Sequence, residues 1–186
     1  MKNNNLGIYI HIPFCKSKCF YCSFYSCKDC LENKIQEYMD AIAQEIVANV
    51  EILSESTIDT IYIGGGTPSV INPKYIYQIL QLIKGCSNVA ENAEITIEIN
   101  PETLTEEKLK VYIDAGINRV SMGLQSIHEN ILKKIGRNSS LEDFKNAYNM
   151  LIKYRNRKYI YRYNNRASRR HFWRFYGYRK IYSVFR

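Results

Sequence analysis

Four short apolar runs constrain this chain most. They are LGIYIHI (6–12), TIDTIYIGGG (57–66), EITIEIN (94–100) and INRVSMGL (117–124). Each reads as a short strand, and helical patterns separate them. Between Leu31 and Leu53 apolar residues recur at three- and four-residue steps: Ile35, Tyr38, Met39, Ile42, Ile46 and Val50. Pro73 to Lys84 predicts a second helix with proline in its first turn, Thr105 an N-cap, and Leu141 to Tyr154 a further helix. Strands alternating with helices favour a parallel sheet. Polar and glycine-rich residues cluster where the predicted strands end: Pro13–Cys22, Gly64–Ser69, Glu98–Pro101 and Gly123–Ser126. In parallel α/β folds ligands bind at that edge, so the chemistry is predicted to converge on one rim.

A chain of 186 residues is long enough for one domain with a real core. No stretch approaches the roughly 20 apolar residues of a membrane span. The N-terminal MKNNNLGIYI lacks the basic and long apolar regions of a signal peptide, so a reducing cytoplasm is expected. The net charge of +8 comes from one end: Arg155–Arg186 holds 11 of the 26 Lys/Arg and none of the 18 Asp/Glu. Residues 1–154 therefore carry 15 basic against 18 acidic residues, a net of −3. That balance argues against nucleic acid as the partner of the main body.

The loop CKSKCFYC places Cys15, Cys19 and Cys22 at spacings that suit metal thiolates. Three ligands leave one iron of a four-iron cluster open to a substrate or cofactor. A zinc knuckle stays open on spacing alone, because Cys27 and Cys30 supply a further C-x2-C. Cys86, alone near a helix end, reads as structural. GGGTPS (64–69) lets backbone approach a ligand, or simply makes a tight turn. Glu98 and Gln125, at the ends of the next two strands, are polar groups that could hold a ligand or face solvent.

Together and in this order, these motifs resemble the radical S-adenosylmethionine (SAM) proteins. The resemblance implies a [4Fe-4S] cluster on Cys15, Cys19 and Cys22, with SAM at the remaining iron. YIHIPFC, GGGTPS and SMGLQS are similar to the subgroup that contains the heme chaperone HemW and oxygen-independent coproporphyrinogen III dehydrogenase. It covers residues 6 to about 154. It implies cofactor contacts from Tyr9, Tyr21, Gly65, Gly66, Thr67, Glu98, Gln125 and Arg137, and places His11 near the cluster. It also implies heme or a porphyrin precursor as cargo or substrate, and a heme-acceptor protein as partner. The dehydrogenase has a further cysteine two residues beyond the third ligand. Phe24 stands there, as in the HemW type, so decarboxylating chemistry is the second expectation. Relatives read G-R-x-H after the arginine's glycine, and here Asn138-Ser139 follow.

From Arg155 onward neither strand nor helix periodicity is evident. A basic aromatic arm for RNA is one reading. The other is a reading-frame slip. Written with A/T-rich codons and read one base later, Arg155–His171 becomes G-I-E-N-I-Y-I-D-I-I-I-G-L-P-G-D, similar to the family's next strand and turn. The family's SAM-contacting aspartate then falls where Arg162 stands. The expectation is therefore α/β: 1–154 as the first four units of a partial (β/α)6 radical-SAM barrel, then a disordered, out-of-frame basic tail over 155–186 in a truncated product with little activity.

Overall fold

The computed structural model describes residues 5–28 and 31–154, and the backbone of 158–162. Five strands form one sheet in the order β1-β2-β3-β4-β5: β1 Asn5–Ile12, β2 Thr57–Gly65, β3 Asn88–Ile99, β4 Arg119–Gly123 and β5 Lys158–Arg162. Every neighbouring pair is parallel. Helices α1 Glu32–Ala48, α2 Val50–Ser54 and α3 Pro73–Cys86 lie within the first two crossovers. Helices α4 Glu106–Asp114, α5 Glu129–Lys134 and α6 Leu141–Lys153 follow. Strand order that follows chain order is the wall of a β/α barrel, not a doubly wound sheet with a central reversal.

The pleat sorts the strand residues into two faces. Ile10, Ile63, Ile97 and Val120 stand in register across four strands, each at most 6% exposed. They share one apolar cluster with Met39, Ile79, Leu80, Leu109, Tyr112 and Leu151 from the helices. Burying each such isoleucine contributes about 1.5–3 kcal/mol. The other face carries the aligned set Tyr9, Tyr62, Thr96 and Arg119. Low on that face, Arg119 Nη1 donates to Glu94 Oε1 at 2.5 Å and to Thr96 Oγ1 at 3.2 Å.

Three helix starts follow capping chemistry. Asn72 Oδ1 accepts from Lys74 N, Thr105 Oγ1 accepts from Lys108 N, and Ser140 and Asp143 form a reciprocal capping box. The helix expected over Leu31–Leu53 is broken at Asn49, whose side chain turns back to donate to Glu45 O at 2.8 Å. The strand expected to begin at Glu94 begins at Asn88.

The expectation of disorder from 155 onward does not hold for 158–162, where KYIYR pairs with β4. Tyr-Ile-Tyr has strong strand preference, and β4 offers it an edge to pair with. Residues 155–157 and 163–186 of the expected tail lie outside the described residues. Two substitutions test this fold by denaturant unfolding. Ile97→Ala, at a fully buried site, is expected to cost about 2–5 kcal/mol. Thr105→Ala, which removes only a cap, is expected to cost about 1 kcal/mol. Equal losses would contradict the packing described.

Candidate metal and cofactor site

The cysteine loop leaves the C-terminal end of β1 and is tied down on three sides. Cys15 N donates to Cys27 O at 2.9 Å and Cys27 N to Pro13 O at 2.7 Å, a short parallel bridge between Phe14 and Cys27. Phe14 is buried edge-on against the Tyr38 ring. On the far side Phe20 N donates to Ile135 O at 3.0 Å, and Asn138 Nδ2 donates to Ser17 Oγ at 3.0 Å. Asn138, the residue after Arg137, thus pins the loop. Cys22 N closes a turn on Cys19 O at 3.1 Å.

The third tie is the glycine loop after β2. Gly66 N donates to Ile12 O and Thr67 N to Phe14 O, both at 2.8 Å. A Cβ on Gly66 would lie 2.8 Å from Phe14 O and 2.9 Å from Ile12 O, so only glycine permits this approach. Gly65 takes φ +111° beside the His11 ring. Thr67 brings Oγ1 to 3.5 Å from Cys15 Sγ, and both residues are buried. Burial pushes the Cys15 thiol up, the Thr67 hydrogen bond opposes this, and Cys22 and Cys19 add further upward pressure. A metal ion is what stabilises such a thiolate.

Glu98, Gln125 and Arg137 share the same rim. Tyr62 OH donates to Glu98 Oε1 at 2.5 Å. Tyr62 also stacks on Tyr9, and Tyr9 OH lies 3.1 Å from His11 Nδ1. His11 Nε2 lies 3.0 Å from Tyr25 O, so the ring donates to the cysteine loop as a support. Arg137 is held by Nη2 donating to Gly123 O and Nε to Ser139 Oγ, both at 2.9 Å. Gln125 sits at φ 63°, and a Cβ on Gly123 would collide with the Gln125 amide at 2.6 Å and meet Arg137 at 3.0 Å. Tyr21 links this group to the cysteines. Burial raises its phenol above the ordinary value, Arg137 pulls it down, and Cys19 adds to the rise.

The structure therefore brings together Cys15 with Thr67, Tyr21 with Cys19 and Arg137, Gln125 with Arg137, and Tyr9 with His11 and Tyr62. The three-thiol donor set suits iron in a cluster. Among the described residues no three His, Cys, Asp or Glu side chains converge as ligands of a single ion. Cys27 forms an isolated bridge with Phe14, and its carbonyl accepts from Cys15 N. Cys30 lies outside the described residues. Sequence reasoning missed Tyr62, Asn100, Ser69 and Thr103, which brace Glu98 and the glycine loop. Strand parity could have found Tyr62, two residues before Gly64; Ser69 and Asn100 lay in the rim clusters Gly64–Ser69 and Glu98–Pro101 without a role of their own, and Thr103 gave no signal.

A parallel β/α sheet whose expected cofactor residues share one rim defines the class. The sequence profile described as the radical SAM superfamily matches residues 9–163, and the chain belongs to that superfamily. It is similar to the heme chaperone HemW of Buchnera aphidicola subsp. Schizaphis graminum, 40% identical over 132 residues, 71% of this chain and 35% of that one. It is 38% identical to HemW of Haemophilus influenzae over 149 residues, 78% of this chain and 39% of that one. The chain thus spans a little over a third of these curated relatives. Among solved structures it is similar to the coproporphyrinogen III oxidase HemN of Escherichia coli, with TM-score 0.79 and 26% identity, over 86% of this chain and 36% of that chain. The FeFe-hydrogenase maturase HydG of Carboxydothermus hydrogenoformans, at TM-score 0.57 and 16% identity, shares the fold. No helix among the described residues is long and apolar enough to cross a membrane.

Gly66→Ala tests the docking of the two loops. Cys15 is 8% exposed and Cys19 and Cys22 are half-buried, so Cys15 is expected to alkylate slowest of the three in the metal-free chain. In Gly66→Ala the loops must part, and Cys15 is expected to react as fast as the others by mass spectrometry. Continued protection of Cys15 would contradict the contact.

Proposed function

We propose that Cys15, Cys19 and Cys22 hold a [4Fe-4S] cluster, that SAM binds at the iron they leave open, and that the protein handles heme as a HemW-type chaperone. One observation carries this reading: the buried Cys15 is locked against the glycine loop on the rim that also gathers Glu98, Gln125 and Arg137. When bound, such a group supplies one-electron reduction of a sulfonium. The chain's own residues do the rest. Gly65, Gly66 and Thr67 offer backbone to the amino group of SAM. Glu98, held by Tyr62, offers a carboxylate to a hydroxyl or ammonium, and Gln125 offers an amide. Arg137, fixed on Gly123 O, would present a preset guanidinium to SAM, and Tyr9 and Tyr21 would pack as aromatic walls. This reading requires a reducing cytoplasm, which keeps the thiols available to iron.

The likeness to HemN favours a second reading, coproporphyrinogen oxidation. Against it stands Phe24, 55% exposed, where the resemblance places that enzyme's further cysteine. Hemin titration and coproporphyrinogen turnover separate the two, and a separate heme-acceptor protein belongs to the first.

The reading of 155–186 as out of frame is also a proposal. In its support, β5 sets Arg162 opposite Gly123, beside the candidate site, where the shifted reading has aspartate. Arginine there is a fixed cation with no acceptor. The DNA around codon 154 tests it: a one-base change is expected to reopen G-I-E-N-I-Y-I-D, and stop codons within a few residues would leave the basic RNA arm as the reading.

Anaerobic reconstitution tests the site. The chain is expected to gain a broad absorption near about 400 nm from thiolate-to-iron charge transfer, and Cys15→Ala, Cys19→Ala and Cys22→Ala are each expected to lose it. Stoichiometric zinc without iron would refute the proposal.

A further inference from the structure

Asn100 lies just past β3, two residues after Glu98, and its backbone is clamped. Its N donates to Ser69 Oγ at 3.1 Å, and its O accepts from Thr103 N at 3.0 Å and from Thr103 Oγ1 at 2.7 Å. Its side-chain Nδ2 lies 3.3 Å from Thr67 Oγ1 and 3.5 Å from Glu102 Oε1. An ionised carboxylate only accepts, so Glu102 fixes which end of the Asn100 amide faces this cluster of groups. The amide therefore donates to Thr67 as well. The Thr67 hydroxyl, having accepted from Asn100, retains one proton, and the sulfur of Cys15 is 3.5 Å away. A metal-bound thiolate has no proton to give, so the donor in that pair is Thr67. Thr67 is 4% exposed, which keeps water from competing for the proton.

We propose that Asn100 is a positioning residue that makes the Thr67 hydroxyl a fixed hydrogen-bond donor to the sulfur of Cys15. The inference rests on the cluster-binding reading above. It adds a role for Thr67 besides its backbone and names Asn100 and Glu102 as the residues that orient it. Hydrogen bonds to ligating sulfur withdraw charge from a cluster and help set its reduction potential. This relay therefore makes the cluster easier to reduce than three bare thiolates would.

The test is a redox titration of the reconstituted full chain, followed by electron paramagnetic resonance (EPR), with iron content and circular dichroism measured alongside. Thr67→Val deletes the donor at nearly constant volume. Asn100→Leu removes the amide donor at similar size and without adding charge, so the Thr67 hydroxyl is no longer held toward Cys15. Both are expected to lower the midpoint potential at unchanged iron content, and Thr67→Ser, which keeps the hydroxyl, is expected to stay near the wild type. A merely structural role would lower iron content or thermal stability and leave the midpoint of the loaded fraction where it was. Should Thr67→Val fail to load, Asn100→Leu against Thr67→Ser carries the comparison. Equal midpoints in a loaded wild type and loaded variants overturn the relay alone. A wild type that loads no cluster overturns the cluster-binding reading, and the relay with it.

Discussion

Two backbone hydrogen bonds, Gly66 N to Ile12 O and Thr67 N to Phe14 O, hold the rim of this protein together. They join the loop that carries the cysteines to the loop that carries the glycines. They form only because β1 and β2 run parallel and in register, so that both loops leave the sheet at the same height. Net worth per bond is about 0.5–1.5 kcal/mol. Their larger effect is positional: they bury Cys15, bring Thr67 to its sulfur, and bring Asn100 and Thr103 into the same network. Without a glycine at 66 none of this geometry is available.

The sheet separates stability from chemistry by its pleat. One face is isoleucine and valine packed on helices, and the opposite face is tyrosine, histidine, glutamate, arginine and glycine. Polar groups on that face are braced by one another: Tyr9 with His11 and Tyr62, Tyr62 with Glu98, Arg119 with Glu94. Fixed orientation of this kind favours ligand recognition, because less rotamer freedom remains to be lost on binding. The connection between α5 and α6 adds Arg137 and Asn138, one reaching the end of β4 and the other the cysteine loop.

Much of this was legible in the sequence because hydrophobic periodicity and capping are local signals. Short apolar runs marked β1 to β4, and Thr105 and Pro73 marked helix starts. Helix α5 was missed: it has six residues, and His128 before it caps with no side-chain bond. Strand β5 was missed because a five-residue strand on an edge owes its pairing to β4, and KYIYR alone does not announce it. The glycine loop was legible as a turn, but the reason Gly66 must be glycine is Phe14 O, 52 residues earlier in the chain. Likewise the Asn100–Thr67–Cys15 relay joins three strand ends and leaves no pattern in any one stretch of sequence.

In the proposed site three thiolates leave one iron free for the amino acid portion of SAM. The most direct measurement is pulsed hyperfine spectroscopy on the reduced, reconstituted chain with SAM isotopically labelled at its amino nitrogen. A coupling between the cluster spin and that label is expected, with a shift of the EPR spectrum when SAM is added. A cluster whose spectrum ignores SAM and shows no coupling to the label would contradict the proposed site.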